Sequence, residues 1–128
     1  MAQIWSLVTF RVMLKSAPHL ARELLSRAKA SLEDLEIHQF RDDAEAHDDQ
    51  AMDRLYVDFE FGFERALLEL SASFGEPIRT GNRDDEVIPL CGIIRFAVWS
   101  VESKRLYLAF AHEDRGLPIL LMMGTVLQ

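Results

Sequence analysis

The chain predicts an α+β domain, an antiparallel β-sheet with two helices packed on one face. Three observations point there. The last third holds three short runs rich in apolar, β-branched and aromatic residues, separated by turn chemistry, which reads as a three-stranded meander. Two stretches, Pro18 to Leu35 and Glu64 to Phe74, space their apolar residues as helices do. Alternating apolar residues at 4–14 and 54–63 add two further strands to the expected sheet. Helices interleaved with strands ahead of a meander suit an antiparallel sheet covered on one side.

Taken in order, Ile4, Val8, Phe10, Val12 and Leu14 share one parity and favour a strand, with a helix as the competing reading through Ile4, Leu7 and Val8. Ser16-Ala17-Pro18 reads as a helix start, because proline in the first turn sacrifices no hydrogen bond and is already set in φ. Leu20, Leu24, Leu25, Ala28, Leu32 and Leu35 continue the stripe and extend the expected helix to Leu35. The run Asp42 to Asp49 is too charged to bury and reads as a solvated loop or an exposed helix turn. At 54–63, Leu55, Val57, Phe59, Phe61 and Phe63 alternate with Tyr56, Asp58, Glu60 and Gly62. Val-Asp-Phe-Glu-Phe-Gly-Phe is a poor helix former, so the strand is preferred over a helix running through Met52, Leu55, Tyr56, Phe59 and Phe63. Gly75 and Pro77 close the helix that follows. Glu76 to Glu86 reads as a polar loop. Ile93–Val101, Arg105–Ala111 and Pro118–Leu127 are the meander, the last of them apolar enough to be buried on both faces.

At 128 residues the chain is expected to form one domain, 1–128, with a core that requires neither disulfides nor metal. Its single cysteine, Cys91, rules out an internal disulfide and suits a reducing, cytoplasmic setting. Between apolar neighbours, Cys91 reads as a buried structural residue. No apolar run approaches the roughly 20 residues that span a bilayer, so no membrane role is expected.

Charge is the most informative compositional feature. Residues 33–64 carry twelve acidic side chains against Arg41 and Arg54, whereas residues 1–32 are net positive. A concentrated negative field repels nucleic acid and anionic membrane and attracts basic protein surfaces. No basic stripe or nucleic-acid motif offsets it. No nucleotide loop, nucleophile elbow or metal-ligand spacing occurs, so no cofactor, metal or catalytic set is assigned. His112-Glu113-Asp114, at a strand end, is a possible ligand site, with His112 as a base oriented by a carboxylate. Glu113-Asp114-Arg115-Gly116 is also good turn chemistry, and adjacent side chains point apart, which favours the turn reading. Among Trp5, Trp99, Tyr56 and Tyr107, core packing is the ordinary role; Tyr56, inside the acidic block, is the exception that suits a binding surface.

Phe74-Gly75-Glu76-Pro77, Ala97-Val98-Trp99, Tyr107-Leu108, His112-Glu113-Asp114, Leu117-Pro118 and Gly124 form a pattern over residues 74–128. In this pattern, and in its size and acidity, the chain resembles immunity proteins of bacterial polymorphic toxin systems. The resemblance implies a non-enzymatic module that binds and neutralises a cognate toxin, and it carries over no individual functional residue. A toxin acting on nucleic acid presents a basic cleft that an acidic surface can plug. The expected contact region is Asp42, Asp43, Glu45, Asp48, Asp49, Tyr56, Asp58 and Glu60. The alternatives are a small enzyme or ligand-binding domain built on His112, Glu113 and Asp114, or a self-assembling protein whose strand Ile119–Leu127 pairs with its twin in a homodimer.

Overall fold

The computed structural model describes residues 9–11 and 16–128. Its elements are β1 (Thr9–Arg11), α1 (Ala17–Ser26), β2 (Leu32–His38), α2 (Asp43–Ala46), α3 (Asp49–Phe74), β3 (Arg79–Gly81), β4 (Ile93–Val101), β5 (Lys104–Ala111) and β6 (Ile119–Leu127). All strand pairs are antiparallel, in the spatial order β1-β2-β6-β5-β4-β3. The expected α+β class, the meander and the helix layer are all present. Of the strand expected over 4–14, β1 is the part that falls within the described residues; the rest, and Trp5, lie outside them.

Helix α1 starts as Ser16-Ala17-Pro18 predicts, with the Ser16 hydroxyl accepting from the His19 amide at 3.3 Å. It ends at Ser26, nine residues short of the expected Leu35, and the chain crosses to β2 instead. The expected stripe runs on through Leu32 and Leu35, three apart, but in β2 Leu32 is exposed and Leu35 is buried at a bulge between Asp34 and Glu36.

The strand expected at 54–63 is helix. These residues belong to α3, whose 26 residues run from an Asp48 cap, accepting from the Ala51 amide at 3.1 Å, to Gly75 at φ 84°. Met52, Phe59, Phe63, Ala66 and Leu70 form its buried face. The weak propensity of the segment is overridden by this burial along a well-capped helix. Gly62 lies at the crossing of α3 over β2 and β6, where a Cβ would approach Glu36 Oε1 to 3.1 Å and Leu121 Cδ2 to 3.2 Å. The expected loop 76–86 contains β3, which pairs with Phe96–Val98.

Helices α1 and α3 pack over Ala97, Trp99, Leu106, Leu108, Phe110, Ile119, Leu121 and Met123. The opposite parity of β4 and β5, including Phe96, Val98, Tyr107 and Ala109, packs with Ile88 and Leu90 from the β3–β4 connection. Strand β6 is buried on both faces over most of its length, as expected, and it lies inside the sheet between β2 and β5. Both of its ladders are therefore occupied, so the sheet edge that the alternative of pairing Ile119–Leu127 with a twin strand requires is not there. Cys91 is exposed rather than buried, since it lies at the end of the β3–β4 connection, just before β4 and not in it.

Candidate functional site

The acidic block does not form one surface. Asp42 caps α2, accepting from the Glu45 amide at 2.9 Å, and Asp48 caps α3. Glu45 folds inward, accepting from the Arg41 amide at 2.7 Å and lying 3.7 Å from His38 Nε2. The Asp42-x-x-Glu45 spacing was a readable sign of a helix start. Asp43 stays exposed on α2. Asp58 and Glu60, expected on one face with Tyr56, are separated because the segment is helical. Glu60 follows Tyr56 by one turn and stays beside it, whereas Asp58 turns about 200° away.

The structure instead joins part of that block to the other candidate group. Asp49, Met52, Asp53 and Tyr56, one face of the first two turns of α3, meet His112, Glu113, Asp114 and Arg115 from the β5–β6 connection around an open cavity of about 590 Å³. Asp53 and Arg115 were not singled out from the sequence. Asp53 follows Asp49 by four and precedes Tyr56 by three, a signal that is visible only once the segment is assigned as helix. Arg115 had no local signal, because its partners lie far away along the chain. Its Nε donates to the Ala46 carbonyl at 3.0 Å, and its guanidinium pairs with Asp49.

Two hydrogen bonds define the state of His112. Its Nε2 lies 3.0 Å from the Leu117 carbonyl, which only accepts, so Nε2 carries the hydrogen. In the neutral ring Nδ1 is then an acceptor, and the Tyr56 hydroxyl donates to it at 2.6 Å. Burial holds the His112 pKa below the ordinary histidine value and raises that of Tyr56, so both are neutral at pH 7. The rings of Tyr56 and His112 meet edge to face, and Tyr56 meets Phe110 the same way. The His112 amide donates to the Gly92 carbonyl at 2.9 Å. Gly92 has φ 72°, and a Cβ there would lie 2.5 Å from the Glu113 Cα, so only glycine permits this contact.

Chemically, the arrangement presents carboxylates rather than a reactive base. Both ring nitrogens of His112 are engaged within the fold, and neither Glu113 nor Asp114 orients the ring by a hydrogen bond among the described residues. Asp49, Asp53, Glu113 and Asp114 face the cavity with Arg115 as the single cation in its lining. Among the described residues, no group of three or more His, Cys, Asp or Glu side chains is placed to hold a metal ion. No helix among them is long and apolar enough to cross a membrane. Trp99 and Tyr107 are core residues, Trp99 donating to the Gly75 carbonyl at 2.8 Å, whereas Tyr56 stays half-buried at the site.

The fold and site together define the class: an α+β domain with a six-stranded antiparallel sheet, two helices on one face and an acidic cavity at one end of the long helix. In comparisons with known proteins, no family model matches the chain, and neither a curated protein nor a solved structure matches it significantly.

Proposed function

We propose that this protein is a non-catalytic module that binds a basic protein partner, in the manner of an immunity protein neutralising a toxin domain in the cytoplasm. The observation that carries the reading is the cavity around Tyr56. Four carboxylates converge there against one arginine, and the only histidine present has both nitrogens committed to the fold. An open acidic concavity accelerates encounter with a cationic surface and selects against anionic ones. The contact region thereby moves from the run Asp42 to Asp49 toward Asp49, Asp53, Tyr56, Glu113 and Asp114, because these line the cavity and Asp42, Asp43, Glu45 and Asp48 do not.

The test is capture of the partner from native lysate by the tagged wild-type protein and by the double variant Asp53→Lys/Glu113→Lys. Both positions line the cavity, and both are exposed, so folding is not at stake. A stoichiometric basic protein should be retained at low salt, released at high salt and lost by the variant. With the purified pair, association should slow by about tenfold or more in the variant and lose its salt dependence. Equal capture by wild type and variant would remove the electrostatic reading.

A further inference from the structure

On the other side of Tyr56 the cavity adjoins a groove of about 440 Å³, lined by Tyr56, Val57, Phe61, Ile94 and Phe110 with Glu60 and Glu64 at its rim. Val57 and Phe61 are 54 % and 71 % exposed, and they follow one another by a single helical turn. Arg95 lies over the Phe63 ring at 4.7 Å from its centroid and pairs with both Glu60 and Glu64. One guanidinium thus balances two carboxylates, and the rim keeps a net negative charge continuous with the acidic cavity. We propose that this groove receives a basic amphipathic helix of the partner, with two large apolar side chains one turn apart in the groove and lysine or arginine above Glu60, Glu64 and the neighbouring carboxylates. The proposal rests on the reading of the chain as an acidic binding module, and it identifies the recognition element.

Dimensions and charge support this occupant. From Tyr56 to Glu64 the groove follows α3 for about 12 Å, two turns, which matches a pair of anchors spaced i and i+4 on a docking helix. An added strand fits less well. Strand β4 is bulged between Ile93 and Arg95, its Ile93 amide is taken by Asp84 at 2.9 Å, and β3 already pairs with Phe96–Val98. A second copy of this chain fits less well too, because it would bring another acidic rim against this one.

The experiment is an amide NMR titration of the full chain with a synthetic amphipathic peptide of about 16 residues, long enough to form a marginal helix. The peptide carries leucines along one face and lysine and arginine elsewhere; a twin has glutamine at every basic position. The proposal expects saturable shifts at Val57, Phe61, Ile94 and Phe110. Phe61→Ser should weaken binding about tenfold, in the range of a buried anchor. Leu68→Ser should change it less than about twofold within the same tenfold scale, because Leu68 is equally exposed at 71 % on the same helix but lies outside the groove. The glutamine twin should bind more weakly and without salt dependence. Equal losses in Phe61→Ser and Leu68→Ser, shifts centred elsewhere, or no saturable binding would overturn the proposal. Salt-dependent binding that ignores Phe61→Ser overturns the groove and leaves the acidic reading standing. Equal binding of both peptides, still sensitive to Phe61→Ser, overturns the basic partner and the acidic reading together, leaving a purely apolar site.

Discussion

Tyr56 and Tyr107 show how the same side chain does opposite work at two places. Tyr56 spends its hydroxyl on His112 Nδ1, so Tyr56→Phe should cost about 1 kcal/mol in urea unfolding. The same bond favours the neutral ring, so the variant's His112 pKa, followed by NMR, should rise toward the ordinary histidine value. Tyr107 is buried above Gly124, its hydroxyl has no hydrogen-bond partner among the described residues, and burial pushes its pKa up to about 12. Tyr107→Phe should therefore leave stability unchanged or raise it, since it removes a desolvated polar atom and keeps the ring. His112 and His38 both have pKa values held down, chiefly by burial. Between the unfolded histidine value, about 6.5, and the lower folded values, the unfolded chain binds more protons. Stability conferred by these rings is complete above the unfolded value and is lost as pH falls through the folded ones. Unfolding free energies at pH 7 and pH 5 should show this loss, and His112→Gln should reduce it.

At the level of elements, α3 and the connections beside it decide where the chemistry sits. Asp48→Ala should cost about 1 kcal/mol by removing the α3 cap, read as a lower urea midpoint with an unchanged slope. Gly92→Ala should cost more, about 2–4 kcal/mol, because the new Cβ meets the Glu113 backbone in a left-handed conformation. An equal cost for the two substitutions would show that the β3–β4 connection yields, and that the His112 turn is not held by it. The exposed apolar residues of α3 also explain why a strand was expected at 54–63. Val57 and Phe61 share parity with the core residues Phe59 and Phe63, but they line the groove instead of the core. Exposed apolar residues thus completed a false alternation.

For the whole molecule, the helix layer and the sheet form one cooperative body through α3. Phe59 stacks on Phe110 with ring centroids 5.8 Å apart, and both are buried in the core shared by α1, α3 and the sheet. Phe59→Ala should cost about 3–5 kcal/mol. Far-UV circular dichroism and tryptophan fluorescence should report the same transition, because Trp99 lies in that core. Two separate transitions would mean that α3 and the sheet unfold independently. The interior position of β6 keeps its long apolar run off the edge of the sheet, where it would have favoured strand-to-strand assembly.

The sequence by itself determined the α+β class, the strands Ile93–Val101, Arg105–Ala111 and Ile119–Leu127, the starts and stops at Ser16 and Gly75, and the uneven charge. These rest on short-range signals: alternation, caps and turns. It also singled out Tyr56 and His112, though as members of separate groups. Only the tertiary structure decided that β2 replaces the end of the first helix, that 54–63 is helical, and that Tyr56 and His112 meet. The physical reason is the same in each case. Leu32 and Leu35 kept helical spacing inside a bulged strand, and exposed groove residues made a helix look like a strand. The contacts that settle the matter, β2 on β6, Phe59 on Phe110 and Tyr56 on His112, join residues far apart in the chain, where no local pattern records them.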